Sequence, residues 1–305
     1  MERRRETFLR RFEKVVSMGY ELTTINPENL DILNKEPENP AVIYFNHAAQ
    51  DDPLVTVSLL QNHAPERLNK VVMPVSQHHL QFKNFASYSL LVRLGKGSAG
   101  FLMPDIVQSY RRRGENLGNE GPEKAKALDL RLAHILKASL AEGYLVIISP
   151  EGHRSDTGSL SPGEGGAGVI ARLMQSLGKK GEIENGYFIP LGLIFRAGRR
   201  LGRYYNPIAK PSLTISVGSP IDYETVLRES GKKSEVKGAV AASHFLMERL
   251  ARLLPEHMRG VYSSRFIEDT YRGRYEQRLG KNETVYIFDN KEGRALDTQE
   301  LVGLK

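Results

Sequence analysis

The sequence predicts an α/β fold in which helices flank a mainly parallel central sheet. Two observations predict it: short apolar runs of strand length recur along the chain, and they alternate with segments that have helical signals. Alternating strands and helices favour a parallel sheet between two helical layers. In such sheets ligands bind where loops leave the carboxyl ends of the strands, so the segments that follow the predicted strands are candidates for a site.

The composition restricts the classes of protein. The 305-residue chain has a formal net charge of +7, and a basic surface attracts phosphates of nucleic acid, anionic lipid or an acidic carrier protein. The absence of cysteine excludes a disulfide, a thiolate metal site and a cysteine nucleophile. No apolar run approaches the roughly 18–20 residues of a membrane span, and the charged N-terminus does not resemble a signal peptide. We therefore expect a cytoplasmic protein, at most peripheral on the inner face of the membrane.

Residues 1–35 are predicted to form an N-terminal basic amphipathic helical segment. The helix should cover residues 1–18, because four apolar side chains fall on one face among many arginines: Phe8, Phe12, Val15 and Val16. Such a helix can lie on an anionic bilayer or pack on the body of the protein. We favour packing, because one short helix is weak support for a membrane contact.

Residues 36–260 are predicted to form the α/β domain. The predicted strands span residues 41–45, 71–75, 144–149, 187–195 and 212–217, and the predicted helices span residues 53–62, 80–94, 122–142, 165–177 and 234–254. The helix at 122–142 has the clearest boundaries, because Pro122 suits its first turn and Gly143 lies just past its end.

Two further segments complete the chain. Residues 95–121 are rich in glycine, so we expect a loop-like excursion with a short helix near 105–112. Residues 261–305 have a weaker pattern. We expect them to form a C-terminal extension packed on the α/β domain, with a late strand at 283–288.

A histidine and a carboxylate follow the first strand of the α/β domain. His47 leaves the strand, and Asp52 lies five positions later at the start of a helix. A carboxylate on one ring nitrogen fixes the tautomer and raises the basicity of the other nitrogen. That nitrogen can take a proton from a hydroxyl that attacks an acyl carbon, without a protein nucleophile. Taken alone, the pattern is more typical of a capped helix start beside a hydrogen-bonded histidine.

A second polar segment follows the strand at 144–149. It reads Ser149-Pro150-Glu151-Gly152-His153-Arg154-Ser155. Gly152 allows a sharp turn or a close approach to a ligand, and Arg154 offers a planar fork for a phosphate or carboxylate. Glu151 could orient Arg154 or accept a hydroxyl hydrogen from an acceptor. The alternative is an ordinary strand-exit turn with a surface ion pair.

A third signal is a proline inside an apolar strand, in Phe188-Ile189-Pro190-Leu191. Proline removes a donor from the strand ladder, so Pro190 marks an edge, a bulge or a strand beside a groove. Alone, this is the weakest of the three signals.

Together the three segments resemble the glycerolipid acyltransferases, which act on glycerol-3-phosphate and 1-acylglycerol-3-phosphate. The family's first block, N-H-x-x-x-x-D, is matched by Asn46, His47 and Asp52. A block that resembles F-P-E-G-T-R-S is matched by residues 149–155, and a short apolar-proline-apolar strand by residues 189–191. The order of the blocks agrees, and the resemblance spans roughly residues 40–220.

The resemblance implies a role for each matched residue. It makes His47 the general base and Asp52 its partner. It assigns the acceptor and its phosphate to a substrate-binding set: Glu151, Gly152, Arg154, Ser155 and Pro190. The implied donor is an acyl thioester, on coenzyme A or acyl carrier protein, and no resident cofactor or metal is expected.

Several residues depart from the family pattern. The second block begins similarly at Gly100-Phe101, but Asp105 stands near the place of an expected arginine. Arg111, Arg112 and Arg113 either replace that arginine from a longer loop or indicate a different acceptor. Glu164 stands where many members have a lysine, and His153 replaces a small hydroxyl residue.

One ambiguity concerns the partner of His47. The spacing from His47 to Asp51 also fits the shorter H-x-x-x-D motif of another acyltransferase class. That class usually has a second histidine before the motif and a glycine after it, whereas this chain has Asn46 and Asp52. We favour Asp52 as the partner and Asp51 as the helix cap.

The function we expect is O-acyl transfer to glycerol-3-phosphate or its 1-acyl derivative in phospholipid biosynthesis. An anionic membrane surface is an additional candidate partner. The first alternative is a catalytically altered family member that binds lipid. A nucleic-acid-binding protein is less favoured, because the basic residues are dispersed and no recognition motif is present.

Two other histidine positions have ordinary explanations. His78-His79 lacks a third ligand at a telling spacing, so a strand-exit turn is favoured over a metal site. His244 lies on or beside the apolar stripe of the last long helix, which is typical of a packed histidine.

Overall fold

A computed structural model describes most of the chain. The described residues are 2–49, 52–76, 100–106, 122–152, 155, 159–196, 212–233, 238–263, 287–289 and 294–296. The helices are α1 (Glu2–Gly19), α2 (Ile32–Lys35), α3 (Asp52–His63), α4 (Pro122–Ala141), α5 (Gly166–Gly178), α6 (Tyr223–Lys233) and α7 (Ala239–Ala251). Short 3₁₀ turns lie at Pro27–Leu30, Pro65–Asn69, Glu256–Met258 and Gly260–Tyr262.

Most of the strands belong to one central sheet. The strands are β1 (Glu21–Ile25), β2 (Ala41–Phe45), β3 (Val71–Val72), β4 (Val75–Ser76), β5 (Asp105–Ile106), β6 (Leu145–Ile148), β7 (Tyr187–Arg196), β8 (Ser212–Val217), β9 (Ile221–Asp222), β10 (Ile287–Asp289) and β11 (Arg294–Leu296). The sheet has the order β1-β8-β7-β2-β6-β3, with β9 paired to β7. β2 is parallel to both β6 and β7, and β1–β8 and β3–β6 are parallel too, whereas β7 is antiparallel to β8 and β9. The predicted α/β fold with a mainly parallel sheet is confirmed.

Hydrophobic cores lie on both faces of the sheet. Successive side chains of a strand point to opposite faces, and β2 accordingly gives Val42 and Tyr44 to one core and Ile43 and Phe45 to the other. The first core is closed by α4, α5, α6 and α7, and the second by α1 and α3. All of β2 is buried, which explains why its sequence is an uninterrupted apolar run.

Helix α1 packs on the body of the protein through Leu9 and Val16. Both side chains are buried in the second core, and α1 contacts α3. Of the predicted apolar face, Val16 is confirmed, and the side chains of Phe8, Phe12 and Val15 lie outside the described residues. Within the described part of the chain, no helix is long and apolar enough to cross a membrane.

Some local predictions were wrong, because distant pairing overrides local signals. Residues 105–106 form β5 instead of a helix, and the strand predicted at 71–75 is divided into β3 and β4. The segment that leads into β5 runs beside β3: the Met73 N–H donates to the Leu102 carbonyl at 2.8 Å. Residues 80–94 lie outside the described part.

Other corrections concern element boundaries. β1 and α6 were not predicted: β1 alternates between exposed and half-buried residues, and α6 is short. Asp222 precedes α6 and accepts the Thr225 N–H at 2.7 Å, which is a helix-start signal that we missed. The helix predicted at 234–254 spans Ala239–Ala251 and begins after Gly238, whose φ is +94°. The late strand lies at Ile287–Asp289.

Candidate active site

Two polar loops meet at the carboxyl edge of the sheet. One follows β2 and the other follows β6, and the two strands are neighbours. The Ser155 N–H donates to the His47 carbonyl at 2.8 Å, which joins the loops directly. Asn46 anchors the first loop to β7: its side chain donates to the Leu193 carbonyl at 3.0 Å and accepts the Leu193 N–H at 2.7 Å. These bonds leave the position of His47 little freedom.

His47 and Asp52 form the pair that their spacing predicts. The His47 Nδ1 atom lies 3.1 Å from Asp52 Oδ2. Asp52 is fully buried in the first turn of α3, where the helix dipole favours a negative charge, and it also accepts the Ala49 N–H at 2.7 Å. The His47 side chain is 25% exposed. The pairing of Nδ1 leaves Nε2 as the ring nitrogen that can exchange a proton with a bound molecule.

Glu151 ties both loops to a third segment. Its Oε1 accepts the His47 N–H and its Oε2 accepts the Ser161 N–H, each at 2.8 Å. The side chain has no solvent exposure. Burial raises the pKa of Glu151 to about 7, although both N–H donors and the nearby His47 act in the opposite direction. The carboxyl group therefore faces the backbone that carries His47, and its predicted contact with an acceptor stays a prediction.

Gly152 and Ser155 shape the second loop. Gly152 has a φ of +67°, a conformation that glycine adopts without strain, and its N–H donates to the Ser149 carbonyl at 3.2 Å. Glu164 packs against Gly152: a Cβ added at Gly152 would lie 3.1 Å from its Cγ. The Ser155 hydroxyl donates to the Ser159 carbonyl at 2.7 Å. Their predicted roles in binding a substrate stay predictions.

Pro190 lies inside β7, opposite Tyr44 of β2. On the other side of β7, the pairing passes from β9 at Phe188 to β8 at Leu191. Pro190 sits in this interruption of the ladder, where proline is tolerated. Its carbonyl accepts the Gly218 N–H at 2.9 Å.

The remaining predicted site residues lie outside the described part of the chain. They are Arg154, Arg111, Arg112 and Arg113, together with the alternative partner Asp51. Among the described residues, no group of three histidine, aspartate or glutamate side chains could hold a metal ion.

Two residues that support the site were not predicted from the sequence. Asn46 belongs to the family motif, but its hydrogen bonds to Leu193 depend on a partner 147 residues away. Ser161 contributes a backbone N–H, which any residue except proline could supply. No local sequence signal identifies such a group.

One comparison with known protein families agrees with this geometry. The sequence profile named acyltransferase matches residues 23–193, which include both loops and the whole Glu151 contact. No curated protein sequence matches the chain. A similar solved structure is that of the 1-acyl-sn-glycerophosphate (LPA) acyltransferase PlsC from Thermotoga maritima. It is 12% identical with a TM-score of 0.42, and the match covers 73% of this chain and 72% of that chain.

Proposed function

We propose that this chain, which belongs to the acyltransferase family, moves a fatty acyl group from a thioester to a phosphorylated glycerol. The donor is acyl-coenzyme A or an acyl carrier protein, and the acceptor is glycerol-3-phosphate or 1-acylglycerol-3-phosphate. The reaction belongs to phospholipid biosynthesis.

The observation that carries the proposal is the contact between His47 and Asp52. A buried carboxylate on Nδ1 holds the imidazole in one tautomer, so that Nε2 carries the lone pair. Asp52 is in turn fixed by the Ala49 N–H, and the His47 backbone is fixed by Glu151. A general base works best when its support is rigid.

The chemical step follows from this arrangement. His47 Nε2 takes the proton from the acceptor's hydroxyl while that oxygen attacks the thioester carbonyl carbon. The tetrahedral intermediate then collapses: the carbon–sulfur bond breaks and the ester forms. The leaving thiolate takes the proton back from the His47 imidazolium. The cycle needs no nucleophile from the protein, which agrees with a chain that has no cysteine.

The acceptor side is the second part of the proposal. Gly152 gives the turn the backbone shape for a close approach, and Arg154 supplies the fork for the phosphate. Ser155 and Pro190 complete the substrate-binding set, and Arg111, Arg112 and Arg113 add positive charge. Glu151 contributes by holding the turn that carries Gly152 against the loop of His47.

The setting is also proposed. The enzyme works in the cytoplasm, at the inner face of the membrane, where its lipid product belongs. Arg10 and Lys14 are exposed on α1, and their positive charges support the proposed contact with an anionic surface. No resident cofactor is proposed, because the donor supplies the activated acyl group.

The test is acceptor-dependent thioester consumption by the purified protein. Acyl-coenzyme A and acyl carrier protein donors are each offered with glycerol-3-phosphate and with 1-acylglycerol-3-phosphate. The wild type should turn over at least one pair, and His47→Ala should lower kcat by about 10²–10⁴-fold, the usual contribution of general base catalysis. Asp52→Asn should lower kcat by a similar factor, because the amide can stabilise the wrong tautomer.

The matched control is His134→Ala, which removes an exposed imidazole from α4. It should leave kcat unchanged. Activity that is indifferent to His47 would refute the mechanism. No turnover with any pair, combined with lipid binding, would favour the catalytically altered family member.

A further inference from the structure

We propose that Tyr262 and His244 are positioning residues that hold the loop of residues 159–164, and through Glu151 the loop of His47. Both lie beyond residues 23–193, the part of the chain that the family profile matches. We call Tyr262 and His244 the brace. The role of the brace in catalysis rests on the proposed function, whereas its role in ordering the two loops does not.

The brace is a chain of buried hydrogen bonds. The Gly163 N–H donates to the Tyr262 hydroxyl oxygen at 3.0 Å, and that oxygen lies 2.8 Å from His244 Nδ1. A phenol that accepts one hydrogen bond still has one hydrogen to donate, so Nδ1 serves as its acceptor. Tyr262 is 1% exposed and His244 is 2% exposed. Burial lowers the pKa of His244 to about 4, which keeps the imidazole neutral and able to accept.

The turns around Tyr262 hold the same loop at two further points. The Leu160 N–H donates to the Met258 carbonyl at 2.9 Å, and the Ser159 hydroxyl donates to the His257 carbonyl at 3.0 Å. Gly260 touches the loop so closely that an added Cβ would lie 2.0 Å from the Leu160 carbonyl oxygen. The residues from His257 to Tyr262 therefore act as a rigid support for the loop.

The loop passes this support on to His47. Ser161 lies between the braced residues Leu160 and Gly163, and its N–H donates to Glu151. Glu151 in turn accepts the His47 N–H. The Glu164 N–H donates to the Pro150 carbonyl at 2.8 Å, which closes the loop on the turn before Glu151. Displacement of Gly163 therefore changes the position of the backbone that carries the general base.

The first arm of the test is Tyr262→Phe, compared with Tyr44→Phe. Both changes remove one buried phenolic oxygen from the same core. The Tyr44 hydroxyl has no hydrogen-bond partner among the described residues, so its loss removes no link to either loop. Hydrogen exchange measured by mass spectrometry should become at least about tenfold faster in residues 159–164 and 46–49 for Tyr262→Phe, and should stay at the wild-type rate for Tyr44→Phe.

The second arm tests whether the brace needs His244 Nδ1 as a hydrogen-bond acceptor. His244→Asn supplies an amide oxygen near the place of Nδ1, whereas His244→Leu supplies none. Loop exchange should be faster in His244→Leu and closer to the wild-type rate in His244→Asn. This rescue distinguishes a hydrogen-bond role from a role in filling space, because leucine and asparagine both leave part of the imidazole volume empty.

The third arm is catalysis, assayed at a temperature at which every variant remains folded. Tyr262→Phe should lower kcat by about tenfold with little change in the KM of either substrate, because a misplaced base slows the chemical step. Exchange and kcat in Tyr262→Phe that match Tyr44→Phe would overturn the proposal, even if Tyr262→Phe melts at a lower temperature. A wild type without any turnover would refute the proposed function, and the exchange data would still decide whether the brace exists.

Discussion

Two buried ionisable side chains, Arg67 and Glu151, act as clamps at opposite edges of the central sheet: each makes hydrogen bonds to two backbone groups. At the amino edge, Arg67 donates to the carbonyls of Pro37 and Asn39, which lie in the segment before β2. At the carboxyl edge, Glu151 accepts the N–H groups of His47 and Ser161. Arg67 is 5% exposed and Glu151 is not exposed at all. Each side chain makes two hydrogen bonds to backbone groups: Arg67 to two carbonyls and Glu151 to two N–H groups.

The difference between the two clamps lies in what they hold. Arg67 holds a connection that contains no residue of the proposed chemistry. Glu151 holds the backbone of His47, whose ring has to meet a substrate. Both clamps should therefore stabilise the fold, and only one should be needed for turnover. Separate measurements of unfolding and of kcat can test this distinction.

The largest expected effect comes from removing each clamp. Glu151→Ala leaves two buried N–H groups without an acceptor, and Arg67→Ala leaves two carbonyls without a donor, so each should lower the free energy of unfolding by about 3 kcal/mol. In Glu151→Ala, kcat should also fall by about 100-fold, because a small displacement of the base has a large effect on the rate. Urea unfolding and steady-state kinetics below both melting temperatures check the two quantities.

Arg67→Ala is the matched control for the kinetic effect. Its folded fraction should retain the wild-type kcat. The comparison between the two edges fails if Arg67→Ala slows turnover as much as Glu151→Ala does.

Two glycines with positive φ, one at each of the same two edges, differ in the space that is left for a side chain. Gly143 precedes β6 and has a φ of +74°, while Gly152 follows β6 and has a φ of +67°. An added Cβ would lie 2.4 Å from the Glu38 carbonyl oxygen at Gly143, but 3.1 Å from the side chain of Glu164 at Gly152. Backbone atoms cannot yield as a side chain can.

The two alanine variants should therefore differ in kind. Gly143→Ala should lower the free energy of unfolding by about 2–3 kcal/mol, from the left-handed conformation and the overlap together, with kcat unchanged. Gly152→Ala should lower it by only about 1–2 kcal/mol but should raise the KM of the acceptor. Equal losses of stability would show that Glu164 is as immobile as the backbone at Glu38.

The carboxyl edge was easier to predict from the sequence than the amino edge, because His47 and Asp52 are close in the sequence. His47 and Asp52 are five residues apart, so one turn between a strand and a helix fixes their distance, and the motif also led to the family, which the comparison confirms. The parallel sheet then placed the loop of Glu151 beside them. The partners of Glu151 could not be predicted, because they are backbone groups and because His47 is 104 residues away.

Distant pairing also explains where the fold prediction failed. Residues 105–106 become a strand because they pair in parallel with β4, about 30 residues earlier in the chain. Tyr262 could not be recognised, because Gly163 lies 99 residues away and the surrounding turns have a weak pattern. Local periodicity predicts which faces are buried, whereas the contacts that position a side chain depend on elements far apart in the sequence.

The stability of the protein should also depend on pH through Glu151 but not through Arg67. Burial raises the pKa of Glu151 from an ordinary value of 4.5 to about 7, so the folded state binds a proton more tightly than the unfolded state. The contribution of this proton to the free energy of unfolding is fully present below pH 4.5 and is lost as the pH rises through about 7. Between pH 5 and pH 8 the wild type should lose about 2.5 kcal/mol of unfolding free energy relative to Glu151→Gln, which cannot titrate.

Arg67 provides the contrasting case. Burial lowers its pKa, but a guanidinium stays protonated across this range, so the stability difference between wild type and Arg67→Met should be the same at pH 5 and pH 8. Urea unfolding of the three proteins at both pH values measures these differences. A difference between wild type and Glu151→Gln that does not change with pH would mean that the two N–H donors keep Glu151 ionised despite its burial. Glu151 would then hold the His47 backbone as an ionised carboxylate, just as Arg67 acts as an ionised guanidinium at the opposite edge.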